Sequence, residues 1–295
     1  MSLRSLLRSV FFVVSIALTA PQVESQSQPR PKAGTGAGSP GAVPEGKGVG
    51  PSGRASRGAP SEEDMKRLTG ILVMEFFTSE CCPACVSVGP FLSVFDPVGS
   101  DNRSNFFLLE FHVDYLDGEN WKDRYGTSAY AARQSEYAKR LAKGRTATPQ
   151  IFLNGREAVT GFNPAGILAA LDRRRMDPPK IEIEADLTVD RRSMEVEYSI
   201  DSVPAEARVN VALVERGIAS SIGGGPNSGA TIRHTHLVRG FRSVRRAWTG
   251  GNSVTLGIPE DMVRENAWVT VYVQDEKTLE VLGAAKASLG EFGNR

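Results

Sequence analysis

The chain has 295 residues, 40% of them hydrophobic and 23% charged, which is enough for two ordinary domains with sizeable cores. Its 35 basic and 34 acidic residues give a net charge of +1, so nothing in the overall charge suggests electrostatic capture of nucleic acid, and we expect no nucleic-acid partner. The chain has only three histidines, and this limits any histidine-based metal site.

The N-terminus has the pattern of a secretory signal peptide. Arg4 and Arg8 precede an apolar run at 10–18 that is too short to span a membrane. We predict a signal peptide at 1–25, cleaved after Ser25; in the alternative it stays uncleaved and is the chain's one membrane anchor. Either way, we expect a secreted or periplasmic protein, in an oxidising compartment where a pair of thiols can form a disulfide.

The next segment, 26–64, is rich in Gly, Pro, Ala and Ser and has no apolar periodicity. Such a segment cannot bury enough surface to offset its conformational entropy. We therefore predict a disordered linker between the export signal and the folded part.

From 65 to 177 the pattern alternates between strands and helices. Strand-length apolar runs occur in GILVMEFF and FFLLEFHVD, and helical periodicity occurs after the cysteines and in GTSAYAARQSEYAKRLA. The dipeptide Asn154-Gly155 predicts a hairpin turn, and Asn163 and Pro164 begin a last helix. The resulting order, β-α-β-α-β-β-α, predicts an α/β domain.

From 178 to 295 the apolar residues alternate with a period of two, as in IEIEADLTV, SMEVEYSI, RVNVALVER and WVTVYVQD. Several short strands at this spacing predict an all-β, sandwich-like domain. The three glycines at 223–225 do not lie between a strand and a helix, so they do not indicate a phosphate-binding loop.

All three cysteines, Cys81, Cys82 and Cys85, lie in the segment SECCPAC between the first strand and the next helix. Cys82 and Cys85 have the C-x-x-C spacing that lets two thiols in a first helical turn form a disulfide. A helix N-terminus stabilises a thiolate, the species that attacks in disulfide exchange. In this interpretation Cys82 attacks and Cys85 resolves the mixed disulfide. The alternatives are a static disulfide and a Cu(I) site formed by Cys81, Cys82, Cys85 and His112.

Other polar residues carry weaker signals. The acidic segment 112–123 fits no calcium loop, and we interpret it as an ordered loop that positions a partner, with Tyr115 and Trp121 as anchors. His234 and His236 alternate on a strand and should share a face, but two histidines alone make a poor metal site.

Two prolines occupy positions similar to those of prolines in the thioredoxin fold. Pro90 lies where the thioredoxin active-site helix kinks, and Thr148-Pro149 stands where that fold has a cis-proline facing the disulfide. Glu75 lies one residue from the position of the buried acid that shuttles the resolving thiol's proton in thioredoxins. A solvent-facing glutamate is the favoured alternative for Glu75.

The segments FFTSECCPAC, FHVDYLDGENWKDRY, AARQSEYA and TPQIFLNG resemble the secreted, thioredoxin-like family known as domain of unknown function 1223, DUF1223. The resemblance extends from about Val73 nearly to the C-terminus. It implies that Cys82 and Cys85 are the bonded pair and that Cys81 occupies a position the family gives to glycine. A Cys81–Cys85 bridge is the competing pairing.

Together, these features predict an exported thiol–disulfide oxidoreductase that acts on exported protein thiols or disulfides and needs no cofactor. The fold class expected from the resemblance is an α/β thioredoxin-like domain followed by an all-β sandwich-like domain. The alternatives are a copper-binding chaperone and a non-enzymatic binding module with an inert disulfide. The expected catalytic residues are Cys82, Cys85 and Pro149, with Cys81, Glu75 and Thr148 as auxiliary residues.

Overall fold

The computed structural model describes residues 70–95, 105–174, 176–245, 247 and 249–289. The predicted signal peptide and linker lie outside the described residues. Among the helices that are described, none has both the length and the apolar character needed to cross a membrane.

The first part of the chain alternates between strands and helices in the predicted order. Thr127 caps the helix Ser128–Leu141 by accepting a hydrogen bond from the backbone of Ala129 at 3.3 Å. Asn154 and Gly155 both have positive φ in the turn between the strands Gln150–Leu153 and Glu157–Thr160, as the Asn-Gly signal indicated. The elements are β1 (Leu72–Thr78), α1 (Val88–Ser93), β2 (Phe106–His112), α2 (Ser128–Leu141), β3 (Gln150–Leu153), β4 (Glu157–Thr160) and α3 (Pro164–Arg174).

The second part of the described chain is built from strands, joined by turns and two short 3-10 helices. In the strand Ser193–Ile200, for example, buried and exposed residues alternate because one face packs on the core while the other stays polar. The strands are β5 (Ile183–Val189), β6 (Ser193–Ile200), β7 (Ala207–Glu215), β8 (Ile218–Ser221), β9 (Thr231–His234), β10 (Leu237–Arg245), β11 (Gly250–Gly257), β12 (Ala267–Asp275) and β13 (Val281–Ser288).

Strands from both parts join in one mixed sheet of eight, in the order β13-β12-β7-β10-β2-β1-β3-β4. Strand β10 makes the connection, because Leu237 pairs in parallel with Glu110 of β2. The backbone N–H of Glu110 also donates to the carbonyl of His236 at 2.8 Å. The predicted division at 177/178 therefore falls between segments that share this sheet.

The predicted fold class is wrong. Strands make up 42% of the described residues and helices 19%, and the large sheet is unlike that of a β-α-β-α thioredoxin fold. The local order of elements was predictable, but it did not reveal that β2 has a further neighbour, β10, from a distant part of the chain. Within the part of the chain that the structure describes, the second half does not form a separate sandwich, because strands β7, β10, β12 and β13 belong to the large sheet.

Alternate residues of the large sheet bury two different faces. One face forms a core that includes Val73 of β1, Val214 of β7 and Trp268 of β12, and helix α2 covers it. On the opposite face, α1 and α3 cover the part around Met74, whereas the small sheet β11-β6-β5 covers the part around Val211. Because both faces are covered, β1, β2, β7 and β12 are buried along almost their whole length.

A buried ion pair links β1 to α2 on the face that α2 covers. Nε and Nη2 of Arg133 donate to the two carboxylate oxygens of Glu75 at 2.5 and 2.7 Å. The hydroxyls of Tyr137 and Tyr272 also donate to Glu75, at 2.5 and 3.1 Å. Because Tyr272 belongs to β12, this pair also ties the two parts of the chain together.

We expect Arg133→Met to lower the free energy of unfolding by about 3 kcal/mol, because it leaves the buried carboxylate of Glu75 without its cation. The measurement is urea denaturation followed by circular dichroism. The control is Arg192→Met, since Arg192 forms a 3.0 Å pair with Glu260 in which both side chains are about four-fifths exposed. The control should leave the free energy unchanged, and equal effects of the two substitutions would contradict this account.

Candidate functional site

A disulfide joins Cys82 and Cys85 where β1 leads into the helical segment. Cys82 is the residue before a 3-10 turn, Pro83–Cys85, and the two Cα atoms are 5.3 Å apart. This is the pairing that the family resemblance implied. Both cysteines are buried, at 4% and 5% exposure, but the two residues between them are exposed. The bridge therefore lies directly beneath the surface.

Cys81 is the free cysteine, and its side chain is buried. Its Sγ lies 3.7 Å from the carbonyl oxygen of Trp121 and 4.0 Å from a carboxylate oxygen of Asp117. Burial raises the pKa of the Cys81 thiol, and the negative charges of Asp117, Asp123 and Glu80 raise it further. These surroundings favour a protonated, hydrogen-bonded thiol over a thiolate.

The Thr148–Pro149 peptide bond is cis, as predicted. Because Gln150 pairs with Phe77, Pro149 lies at the end of β1 from which the chain continues to the cysteines. The catalytic role of Pro149 and the auxiliary role of Thr148 stay predictions.

Glu75 does not lie beside the disulfide and does not face solvent. It is 1% exposed, and its ion pair with Arg133 is on the face covered by α2. Its neighbour Phe76 points to the opposite face and lines a cavity next to Cys85. Because successive strand residues alternate between faces, this placement does not support a role for Glu75 in moving the proton of Cys85.

His112 lies at the end of β2, and carboxylates face both of its ring nitrogens. Its Nδ1 is 2.6 Å from Oδ2 of Asp123, and its Nε2 is 3.1 Å from Oε1 of Glu110. Asp123 also accepts hydrogen bonds from the backbones of Glu80 and Tyr125, at 2.7 and 3.0 Å. The predicted Cu(I) site stays untested, but in this structure two of its sulfurs are bonded to each other and His112 contacts carboxylates.

His234, at the end of β9, completes this group from a distant part of the chain. Its Nδ1 lies 3.0 Å from Oε1 of Glu110, and its Nε2 lies 3.1 Å from Oγ of Ser220 and 3.4 Å from Oε1 of Glu80. His236 does not share this face, since its ring packs edge-on against Trp268. The acid–histidine cluster, as we name it, consists of Glu80, Glu110, His112, Asp123 and His234.

The acid–histidine cluster concentrates charge in the interior. Burial alone would lower the pKa of His112, but hydrogen bonds to Asp123 and Glu110 raise it to about 10. Burial would raise the pKa of Glu110 and Glu80, but hydrogen bonds with the histidines hold both below their usual values. Burial would lower the pKa of His234 as well, but its hydrogen bonds to Glu110 and Glu80 raise it. Three carboxylates with lowered pKa values face two imidazoles, so the net charge of the cluster is negative even when both rings are protonated.

A small cavity connects the acid–histidine cluster to the disulfide. Its volume is about 10 Å³, about the space that one water molecule requires. Cys85 lines it together with Glu80, Glu110, His112 and His234, whereas Cys82 does not. The cluster and the inner cysteine of the bridge therefore share one enclosed space.

Two loops hold Glu80 in this position. Trp121 donates from Nε1 to Oε2 of Glu80 at 3.0 Å, and Asn227 donates from Nδ2 to its backbone carbonyl at 2.8 Å. The three glycines at 223–225 pack on the loop of Trp121, and a Cβ atom at Gly224 would lie 2.1 Å from the carbonyl oxygen of Asn120. These glycines allow close backbone contact.

The sequence carries a signal for part of this cluster. Glu110 and His112 interrupt the apolar strand FFLLEFH, and their spacing of two places both on one face. The other cluster members Glu80 and His234 carry no such local signal. They reach Glu110 and His112 only because segments that are distant in the sequence come into contact. The predicted anchors of the acidic loop bind within the chain: Tyr115 donates to Gln134 at 3.0 Å, and Trp121 to Glu80.

The chain matches one family model, described as "Protein of unknown function (DUF1223)", over residues 73–274. A search of curated proteins found no match. A crystal structure of a protein from Agrobacterium tumefaciens is similar, with 24% identity and a TM-score of 0.53, covering 75% of this chain and 95% of that one. At this identity, the likeness shows the fold alone.

A domain of the outer membrane lipoprotein Omp28 from Porphyromonas gingivalis is also similar, with 19% identity and a TM-score of 0.28. The match covers 37% of this chain and 88% of that domain. A TM-score this low supports no argument about fold or function.

We expect Gly224→Ala to lower the free energy of unfolding by about 1–3 kcal/mol, because the added methyl group meets a backbone oxygen that has little room to move. Urea denaturation measures the effect. Gly118→Ala is the matched control, since a Cβ atom there has no neighbour within 4 Å among the described residues. If the two variants lose the same stability, the close packing of these loops is not what holds the site.

Proposed function

The chain belongs to DUF1223, a family whose description names no activity, and we propose from the site geometry that it exchanges disulfides with exported proteins. The observation that carries this proposal is the Cys82–Cys85 bridge, which closes a very short loop beneath two exposed residues. The exported location is part of the proposal and depends on the predicted signal peptide.

The length of the loop favours an exchange role over a purely structural one. A disulfide stabilises a protein mainly by restricting the unfolded chain, and this effect is smallest for the shortest loops. A bridge between residues separated by three positions therefore adds less stability than one that joins distant segments. The fold already has three large buried clusters, so its core does not depend on this bridge.

In the oxidised form, a thiolate of the partner protein attacks Sγ of Cys82. A mixed disulfide forms, the Cys82–Cys85 bond breaks, and Cys85 leaves as a thiolate that takes up a proton. A second partner thiolate then attacks the partner's sulfur in the mixed disulfide, which releases Cys82. The partner is oxidised by two electrons and the cysteine pair is reduced by two; the reverse sequence reduces a partner disulfide.

The surroundings of the two sulfurs support different roles for them. Cys85 borders the enclosed cavity, where a partner protein has no access, whereas Cys82 does not border it. Cys82 is therefore the cysteine that bonds to the partner, and Cys85 is the resolving cysteine. The six-residue helix α1 is short, so the helix dipole contributes less to thiolate stability than the sequence pattern suggested.

We expect Cys85→Ser to trap mixed disulfides between Cys82 and exported proteins, because the resolving thiol is missing. The measurement is mass spectrometry of adducts from the exported fraction that disappear on reduction. Cys82→Ser and Cys82→Ser/Cys85→Ser are the matched controls and should give no such adducts.

The result also separates the alternatives. If Cys85→Ser forms no adducts, the protein is not an exchange catalyst, and the binding module with an inert disulfide is favoured. If the adducts of Cys85→Ser are lost in Cys81→Ser/Cys85→Ser but persist in Cys82→Ser/Cys85→Ser, then Cys81 is the reactive thiol and the assigned roles are wrong.

A further inference from the structure

We propose that the acid–histidine cluster binds one divalent first-row transition-metal ion, such as Zn²⁺, through Glu110, His112 and His234. This inference goes beyond the proposed disulfide exchange and does not depend on it. It arises from the arrangement of side chains that β2 and β9 bring together in the interior.

The spacing of the three ligand atoms suits such an ion. Oε1 of Glu110 lies 3.1 Å from Nε2 of His112 and 3.0 Å from Nδ1 of His234. A tetrahedral zinc ion with bonds of about 2.0 Å holds its ligand atoms about 3.3 Å apart. The three ligand atoms all lie within 4.8 Å of one another, so only a small movement is needed to close around an ion.

Each histidine has a hydrogen-bond partner on the ring nitrogen that points away from the proposed ion, so its other ring nitrogen is free to bind the ion. His112 has Asp123 on Nδ1 at 2.6 Å, which keeps Nε2 for the metal. His234 has Ser220 on Nε2 at 3.1 Å, which keeps Nδ1 for the metal. A hydrogen bond from the second ring nitrogen to a carboxylate or another oxygen is the usual support of a metal-binding histidine.

Glu80 adds to the outer support of His234. Its Oε1 atom lies 3.4 Å from Nε2 of His234, the ring nitrogen that faces away from the ion, and its Oε2 atom accepts a hydrogen bond from Trp121. The ligands that the chain offers the ion are therefore Glu110, His112 and His234.

The charge and chemistry of the cluster define the class of ion. Metal-bound imidazoles have given up the ring proton at the ligand atom. The three carboxylates then carry −3, which a dication reduces to −1. Mixed imidazole and carboxylate ligands suit Zn²⁺ and neighbouring transition ions, whereas Ca²⁺ and Mg²⁺ prefer oxygen ligands alone.

The test is isothermal titration of Zn²⁺ into the chelator-treated, oxidised full chain, in which Cys82 and Cys85 are bonded to each other. We expect one ion per chain. Glu110→Gln and His234→Gln should bind Zn²⁺ at least about tenfold more weakly. His236→Gln is the matched control and should bind as the parent does, because His236 packs on Trp268 outside the cluster.

Circular dichroism establishes which variants fold. If a ligand variant does not fold, Ser220→Ala tests the proposal in its place. This variant keeps every ligand, and it should weaken Zn²⁺ binding because it removes only the hydroxyl that supports His234. Three outcomes overturn the proposal: no stoichiometric Zn²⁺ binding by the parent chain, unchanged affinity in folded Glu110→Gln and His234→Gln or in Ser220→Ala, or loss of binding in Cys81→Ser. The last outcome would assign the ion to the cysteine segment.

Discussion

The pairing of β10 with β2 is the contact on which the candidate site depends. It is short, with Leu237 opposite Glu110 and one backbone bond from Glu110 to His236. Yet it fixes the position of the preceding β8–β9 hairpin, and so brings His234 to the side chain of Glu110. Without it, β2 would carry a buried carboxylate and a histidine with no partners from the second part of the chain.

The cost of burying charge explains how the surrounding loops are built. An unpaired carboxylate in the interior is expensive, and three of them near one another are more so. The chain offsets this cost with two imidazoles, with Trp121, and with backbone N–H groups, including that of Thr235, which donates to Glu110 at 3.3 Å. The glycines at 223–225 also help to offset this cost, because they let the loop that carries Asn227 approach Glu80 and Trp121 closely.

Features set by local interactions could be predicted from the sequence. Apolar runs identified β1 and β2, the Asn154-Gly155 turn identified the β3–β4 hairpin, and the Cys82–Cys85 pairing and the cis bond at Pro149 followed from resemblance. The predicted fold class was wrong because the order of strands in a sheet depends on which strands pair along their edges. Period-two patterns describe the faces of β7 and β10, but they do not specify that β10 pairs with β2.

Two buried glutamates show the same limit. The favoured interpretation placed Glu75 at the surface, and Glu80 carried no prediction, because the partners that make their burial tolerable are far away in sequence. Arg133 is 58 positions from Glu75, and Trp121 is 41 positions from Glu80. Charged or polar residues that interrupt an apolar strand, such as Glu110 and His112 in β2, are the local signal that could have indicated a buried polar site.

The shared cavity makes the disulfide and the acid–histidine cluster electrostatically dependent on each other. Reducing the bridge creates a thiol at Cys85 that faces a cluster with a net negative charge, and like charges disfavour its ionisation. A thiolate leaving group at Cys85 is therefore costly unless positive charge in the cavity offsets the carboxylates. In the proposed exchange, positive charge in the cluster, carried by ring protons or by the proposed metal ion, would therefore make Cys85 a better leaving group.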